Sequence, residues 1–120
     1  MATPERKALG APDETRPIDD GRVEIVGLEG GGTVMRTTFE PGWQWSTSVK
    51  PAVGGDSCQT DHFGYCISGR MHVVMDGGEE MDVGPGDAMR IPPGHDAWVV
   101  GDEPYVGVDF KGGGEYAKPQ

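Results

Sequence analysis

The strongest constraint on this chain is its punctuation. From Arg22 to Asp109, short apolar runs alternate with turns rich in glycine and proline: "EGGGT", "EPGW", "SG", "DGGE", "GPGD", "PPGHD" and "GDEP". An amphipathic helix needs apolar residues every three or four positions over several turns, and no window sustains that period. The apolar residues are also of the wrong type for helices. There are 12 Val and 4 Ile against 2 Leu, and branching at Cβ suits pleated strands. Strands are expected near Arg22–Leu28, Thr33–Phe39, Trp43–Val49, His62–Ser68, Arg70–Met75, Glu79–Val83, Ala88–Ile91, Ala97–Val100 and Tyr105–Asp109. Short strands at this spacing predict an all-β sandwich or barrel.

A chain of 120 residues is long enough for one such domain. Residues 1–20 carry Pro4, Pro12, Pro17 and many charges and read as a flexible arm; 21–110 form the single β-barrel domain; 111–120, "KGGGEYAKPQ", read as a flexible tail. The longest connection, Lys50 to Thr60, invites attention because long loops often carry function. A net charge of −10 repels phosphate backbones and anionic lipid, which argues against nucleic acid or membrane partners. With no signal-peptide pattern and no run of membrane-spanning length, a cytoplasmic location is expected. Cys58 and Cys66 fit it. On one straight strand they would lie ~26 Å apart, beyond disulfide reach, so reduced thiols are expected.

The segment "GPGDAMRIPPG" has Gly86, five residues, then Pro92-x-Gly94, and it resembles the second motif of the cupins. "HFGYCISGRMHVVMDGGE" followed by "VGPGD" resembles the rest of the cupin pattern, so the likeness runs from about Thr33 to Phe110. It implies a cupin-type jelly-roll β-barrel, similar to small stand-alone bacterial cupins of generally unassigned activity.

The resemblance implies a metal site of three histidines and one glutamate, and none of the four stands in its own place. Counting back from Gly69 puts His62 in the glutamate place. Counting forward from Gly42 puts the histidine pair at Ser48 and Lys50, whereas counting back from His62 puts it at Asp56 and Cys58. The second-motif histidine place holds Ala97, with His95 two residues early.

Strand alternation indicates which groups can still meet. If "SG" closes a tight hairpin, Cys66 pairs with Met71, Gly64 with Val73 and His62 with Met75, all on the cavity face. His95 shares parity with position 97 and would point inward about 6.6 Å nearer the barrel mouth. His62 is thus the candidate catalytic group. His62, Cys58, His95, Lys50 and Trp45 are the candidate ligand-binding residues, and His62, Cys58 and His95 the candidate metal ligands. Each has a plainer alternative: His95 holding its turn, Cys58 a small buried thiol, Lys50 solvated, Trp43, Trp45 and Trp98 packing. His72 is read as structural.

Two histidines and a thiolate suit Zn²⁺ with an open fourth position, while the histidine-rich set with a carboxylate that Fe²⁺ or Mn²⁺ usually takes is missing. Tight binding needs the long loop to fold inward and the turn to aim His95 at His62. A pocket without resident metal is therefore expected, with zinc or another divalent ion as the alternative. The leading function is a cupin with a degenerate metal site that binds a small organic ligand, as sensor or accessory module. The alternatives are a small enzyme, metal-assisted or working by histidine acid–base chemistry on a polar metabolite, and a packed barrel for protein interaction. Phe63, Tyr65, Ile67 and Val74 suggest an apolar outer stripe and a homodimer.

Overall fold

The structure is a computed structural model and describes residues 3–114 and Tyr116. Nine strands make two antiparallel sheets: β1 (Glu14–Ile18), β2 (Gly21–Gly27), β3 (Thr33–Phe39), β4 (His62–Ser68), β5 (Met71–Met75), β6 (Glu80–Val83), β7 (Ala88–Ile91), β8 (His95–Val99) and β9 (Tyr105–Asp109). One sheet runs β1-β2-β3-β9-β4-β7 and the other β6-β5-β8. Their inner faces meet in one core that includes Val23, Met35 and Cys66 from the first sheet and Met71, Val73 and Val83 from the second. Among the described residues no helix is long and apolar enough to cross a membrane.

Alternation along β4 shows how the sequence dictates the layers. Gly64 and Cys66 are buried, while Phe63, Tyr65 and Ile67 are exposed. The register with β9 pairs Gly64 with Asp109 and Tyr65 with Val108, so Phe63 falls beside Phe110, also exposed, in one outer apolar patch. Gly64 permits this pairing, since a Cβ there would come within 1.9 Å of the Val108 carbonyl oxygen.

Four expectations need correction. The "SG" turn does not close a hairpin: β4 pairs with β7 and β9, and β5 with β6 and β8, so the chain crosses between sheets at Gly69. Alternation survives the change, but Val74 belongs to the other sheet and leaves the outer stripe. Trp43–Val49 is not a strand. Two short helices, α1 (Trp45–Ser48) and α2 (Lys50–Val53), stand there. Trp45, Val49 and Val53 are spaced four apart, so one helical face packs them against the core, and Pro51 sits in the first turn of α2, where its missing N–H costs nothing. In the segment read as an arm, Glu14–Ile18 forms edge strand β1 on β2, with Arg16 buried, and an edge tolerates Pro17. In the segment read as a tail, Gly112–Gly114 forms a 3₁₀ turn and Tyr116 is buried; residues 115 and 117–120 lie outside the described residues.

Candidate metal centre

The loop before β4 and the Pro-Pro-Gly turn before β8 are tied together by their backbones. Cys58 N–H donates to the His95 carbonyl at 2.8 Å, and Gly94 N–H donates to the Cys58 carbonyl at 2.8 Å. Gly94 adopts φ of 95°, which glycine accepts without strain and which turns the chain so that His95 opens β8 pointing inward. The loop therefore folds inward and the turn aims His95 at the cavity, the two conditions that tight metal binding demanded. The potential ligand atoms of Cys58, His62 and His95 all lie within 4.8 Å of one another. A tetrahedral zinc would need ligand atoms about 3.4–3.6 Å apart, closer than the 3.9 Å between Cys58 Sγ and His62 Nε2.

Each histidine is oriented by a partner on Nδ1. His62 opens β4 and donates Nδ1–H to Asp109 Oδ2 at 2.5 Å; His95 donates Nδ1–H to the Pro92 carbonyl at 2.7 Å. With Nδ1 so engaged, each ring has Nε2 to offer an ion, the arrangement that fixes tautomer and ring plane in metal-ligating histidines. Asp109 is itself anchored, its Oδ1 accepting from Lys111 N–H and Gly112 N–H, each at 2.8 Å. The rings of His62 and His95 meet edge to face with centroids 5.2 Å apart, and Cys58 Sγ lies 3.9 Å from His62 Nε2.

The electrostatics suit a thiolate. Burial pushes the Cys58 thiol up, but hydrogen bonds and positive charge from His62 and His95 outweigh it and hold the thiol at about 6. Burial also disfavours the charged form of His62, yet Asp109 and Cys58 raise it to about 9. Without an ion the pair is a thiolate beside an imidazolium, joined to a carboxylate. Burial works against the Asp109 charge as well, and His62 with the two backbone N–H groups keeps its carboxyl below the ordinary range.

The donor set fits a borderline-soft dication, zinc above all, and lacks the oxygen ligands that magnesium or calcium require. The cluster opens on an apolar cavity of about 40 Å³, room for roughly three water-sized groups. Phe39, Trp45, Ile91, Ala97, Tyr105 and Tyr116 are among its walls.

Of the residues expected from sequence, Cys58, His62 and His95 come together and Trp45 lines the cavity. Lys50 does not; it begins α2, half-buried, away from the cavity walls. Ser48, the other product of counting from Gly42, is engaged with Asp20, whereas of the pair counted back from His62 Cys58 joins the cluster and Asp56 is exposed. His72 is clamped between Asp82 (2.6 Å) and Glu80 (2.7 Å) on the outside of β5, a structural role. Two residues of the site escaped sequence reasoning. Asp109 carries only the parity of a strand end, and Tyr116 lies in a segment that reads as unstructured.

The comparisons agree with this architecture. Residues 55–110 match the Cupin domain family. A Rhizobium leguminosarum protein of unknown function superposes with a TM-score of 0.64 at 18% identity, covering 92% of this chain and 97% of that one. Lactobacillus farciminis oxalate decarboxylase, as its formate complex, gives 0.59 at 18% identity over 83% of this chain but 31% of its own. KdgF from Halomonas sp. gives 0.53 at 20% identity, covering 78% and 79%. At these identities the likeness is one of fold. No curated protein matches the sequence significantly. Two antiparallel sheets closing on an inward histidine cluster define a jelly-roll barrel with a candidate metal site. Residues 55–110 match the Cupin domain, and the barrel as a whole has the cupin fold.

Proposed function

We propose that this protein holds one divalent ion, zinc by preference, on Cys58, His62 and His95, and receives a small organic ligand in the adjoining cavity. One observation carries the proposal: three potential ligand atoms within 4.8 Å, with both histidines oriented through Nδ1. Zinc bound there would supply Lewis acidity to an oxygen of the ligand. The chain's own groups do the rest. Asp109 and Pro92 hold the Nδ1 protons, Phe39, Trp45 and Tyr105 exclude water, and Ala97 leaves space where the cupin pattern places a further histidine. Such a site serves a sensor or accessory module, and equally a metal-assisted enzyme acting on a polar metabolite; turnover separates the two. The test is elemental analysis of untagged protein reconstituted with zinc and dialysed. Near-stoichiometric zinc is expected, lost in His62→Ala and retained in His72→Ala. Wild-type protein that keeps no zinc, or His62→Ala that keeps it, would overturn the proposal.

A second reading rests on the line Cys58–His62–Asp109. In the metal-free protein His62 is held protonated and Cys58 ionised, so His62 is equipped as a general acid near neutral pH. Catalysis that persists after complete removal of metal would favour this reading over the first.

A further inference from the structure

The segment after β9 is built into the site. Gly112 packs so closely that a Cβ would lie 3.0 Å from Asp109 Oδ2 and 3.1 Å from His62 Nδ1. A side chain there would press on the pair that orients the histidine. Tyr116 N–H donates to the Gly112 carbonyl at 3.0 Å. The Tyr116 carbonyl accepts from Arg16 Nη1 at 2.6 Å, and this buried guanidinium is braced by Glu14. The anchors place the Tyr116 ring edge-on to His62, centroids 5.3 Å apart, as part of the cavity wall.

The hydroxyl of Tyr116 is buried and makes no hydrogen bond to the protein. So is Trp43 Nε1, on another residue of the same wall. A buried donor left unmade is expensive, and native interiors rarely keep one without a reason. A phenol hydroxyl is both a donor and an acceptor near neutral pH, and here its donor is unused. Two orphaned donors on one small wall lack the same thing, an acceptor.

We propose that Tyr116 is a ligand-binding residue whose hydroxyl hydrogen-bonds the oxygen of a compact carbonyl or carboxylate ligand held in the barrel cavity, with Trp43 of the same cavity lining offering a second unpartnered donor. The assignment rests on the ligand-binding cavity proposed above and adds the chemistry that the ligand must carry. The apolar walls and the volume of about 40 Å³ limit the remainder of the ligand to a short hydrocarbon part.

Acetate is the probe and Tyr116→Phe the variant. Cobalt(II)-loaded protein is titrated with acetate and followed by its visible absorption, and metal affinity is measured separately. The expected result is unchanged cobalt affinity with acetate binding about tenfold weaker in the variant, the worth of one hydrogen bond to a charged acceptor. Equal acetate affinity in the two proteins overturns the assignment while leaving the metal site standing. If wild-type protein takes up no cobalt, the metal proposal fails instead, and the comparison is repeated on metal-free protein by NMR with the same two outcomes. Acetate that binds neither form of the wild type also overturns the assignment. Thermal unfolding supplies a further readout. A hydroxyl awaiting a ligand makes unliganded Tyr116→Phe as stable as wild type or more so, whereas a structural hydroxyl makes it less stable, and that loss would refute the proposal.

Discussion

Replacing Asp109 with asparagine exchanges one oxygen for an amide nitrogen and should reverse the tautomer of His62. Oδ1 of Asp109 already accepts from the N–H groups of Lys111 and Gly112, each at 2.8 Å, so the carbonyl of the new amide stays on that side. The NH₂ group then faces His62 Nδ1, now 2.5 Å from Oδ2. Two donors cannot share that contact, so Nδ1 must become the acceptor and the ring proton must move to Nε2. Nε2 is the atom nearest Cys58, and the one a metal would need. Loss of an orienting partner of this kind costs about 10- to 100-fold in metal affinity, about 1.4–2.7 kcal/mol. Competition against a chromophoric chelator measures the affinity, and nitrogen-detected NMR of the metal-free variant reads the tautomer. An Asp109→Asn variant that binds zinc within threefold of wild type and keeps its proton on Nδ1 would refute the reasoning.

Other consequences of the same geometry can be measured. In metal-free protein the absorbance of the Cys58 thiolate near 240 nm should titrate at about 6, and His62→Ala should move that midpoint upward; an unchanged midpoint would exclude the pairing. Zinc must displace the proton that keeps His62 charged up to about 9, so apparent affinity should rise about tenfold per pH unit between 6 and 9 and level off above, and a flat profile would contradict this. Gly64→Ala drives a Cβ to 1.9 Å from the Val108 carbonyl and should cost about 3 kcal/mol in urea unfolding; a wild-type midpoint would disprove the register of β4 on β9. We also propose that the patch of Phe63, Tyr65, Ile67 and Phe110 pairs two copies about a two-fold axis, and light scattering of a monomer at high micromolar concentration would count against it.

The strands were legible wherever turn chemistry bounded them. Thr33–Phe39, His62–Ser68, Ala88–Ile91 and Tyr105–Asp109 stand where glycine, proline and aspartate punctuation places them. Pairing was not legible, because "SG" closes a hairpin and opens a sheet crossing with the same two residues. Trp43 and Trp45 alternate as in a strand, yet Trp45, Val49 and Val53 fit one helical face equally well, and only the core they pack against decides. The site divides along the same line. Cys58, His62 and His95 could be named from their positions in the chain. Asp109 could not, since its role depends on β9 lying beside β4, which no local pattern states. Tyr116 was hidden by the run "GGG", where Gly112 packs closely against Asp109 and His62 although the sequence suggests slack.

The degenerate look of the metal pattern comes from counting ligands one at a time. Ala97 and His95 both face inward on β8, opposite Val73 and Met75 of β5. Moving a histidine two residues along a strand keeps its face and shifts it about 6.6 Å toward the end of the barrel. That end is where the loop before β4 crosses, and the bridge between Cys58 and His95 holds the loop against the new histidine by backbone bonds independent of any metal. A ligand supplied by that loop can then reach His95, which it could not do for a side chain at position 97. His62 touches both because it opens β4 next to the crossing, and Asp109 turns its ring toward them. The three residues thus depend on one another: with a histidine at position 97 instead of 95, Cys58 would lose one of its two partners, and without Cys58 His95 would face only His62. What the shift leaves behind is the space at Ala97, now part of the wall of a cavity bounded by Trp45, Ile91 and Tyr116. On the proposal made above, the site is displaced from the place the cupin pattern predicts, and the space at Ala97 becomes room for its ligand.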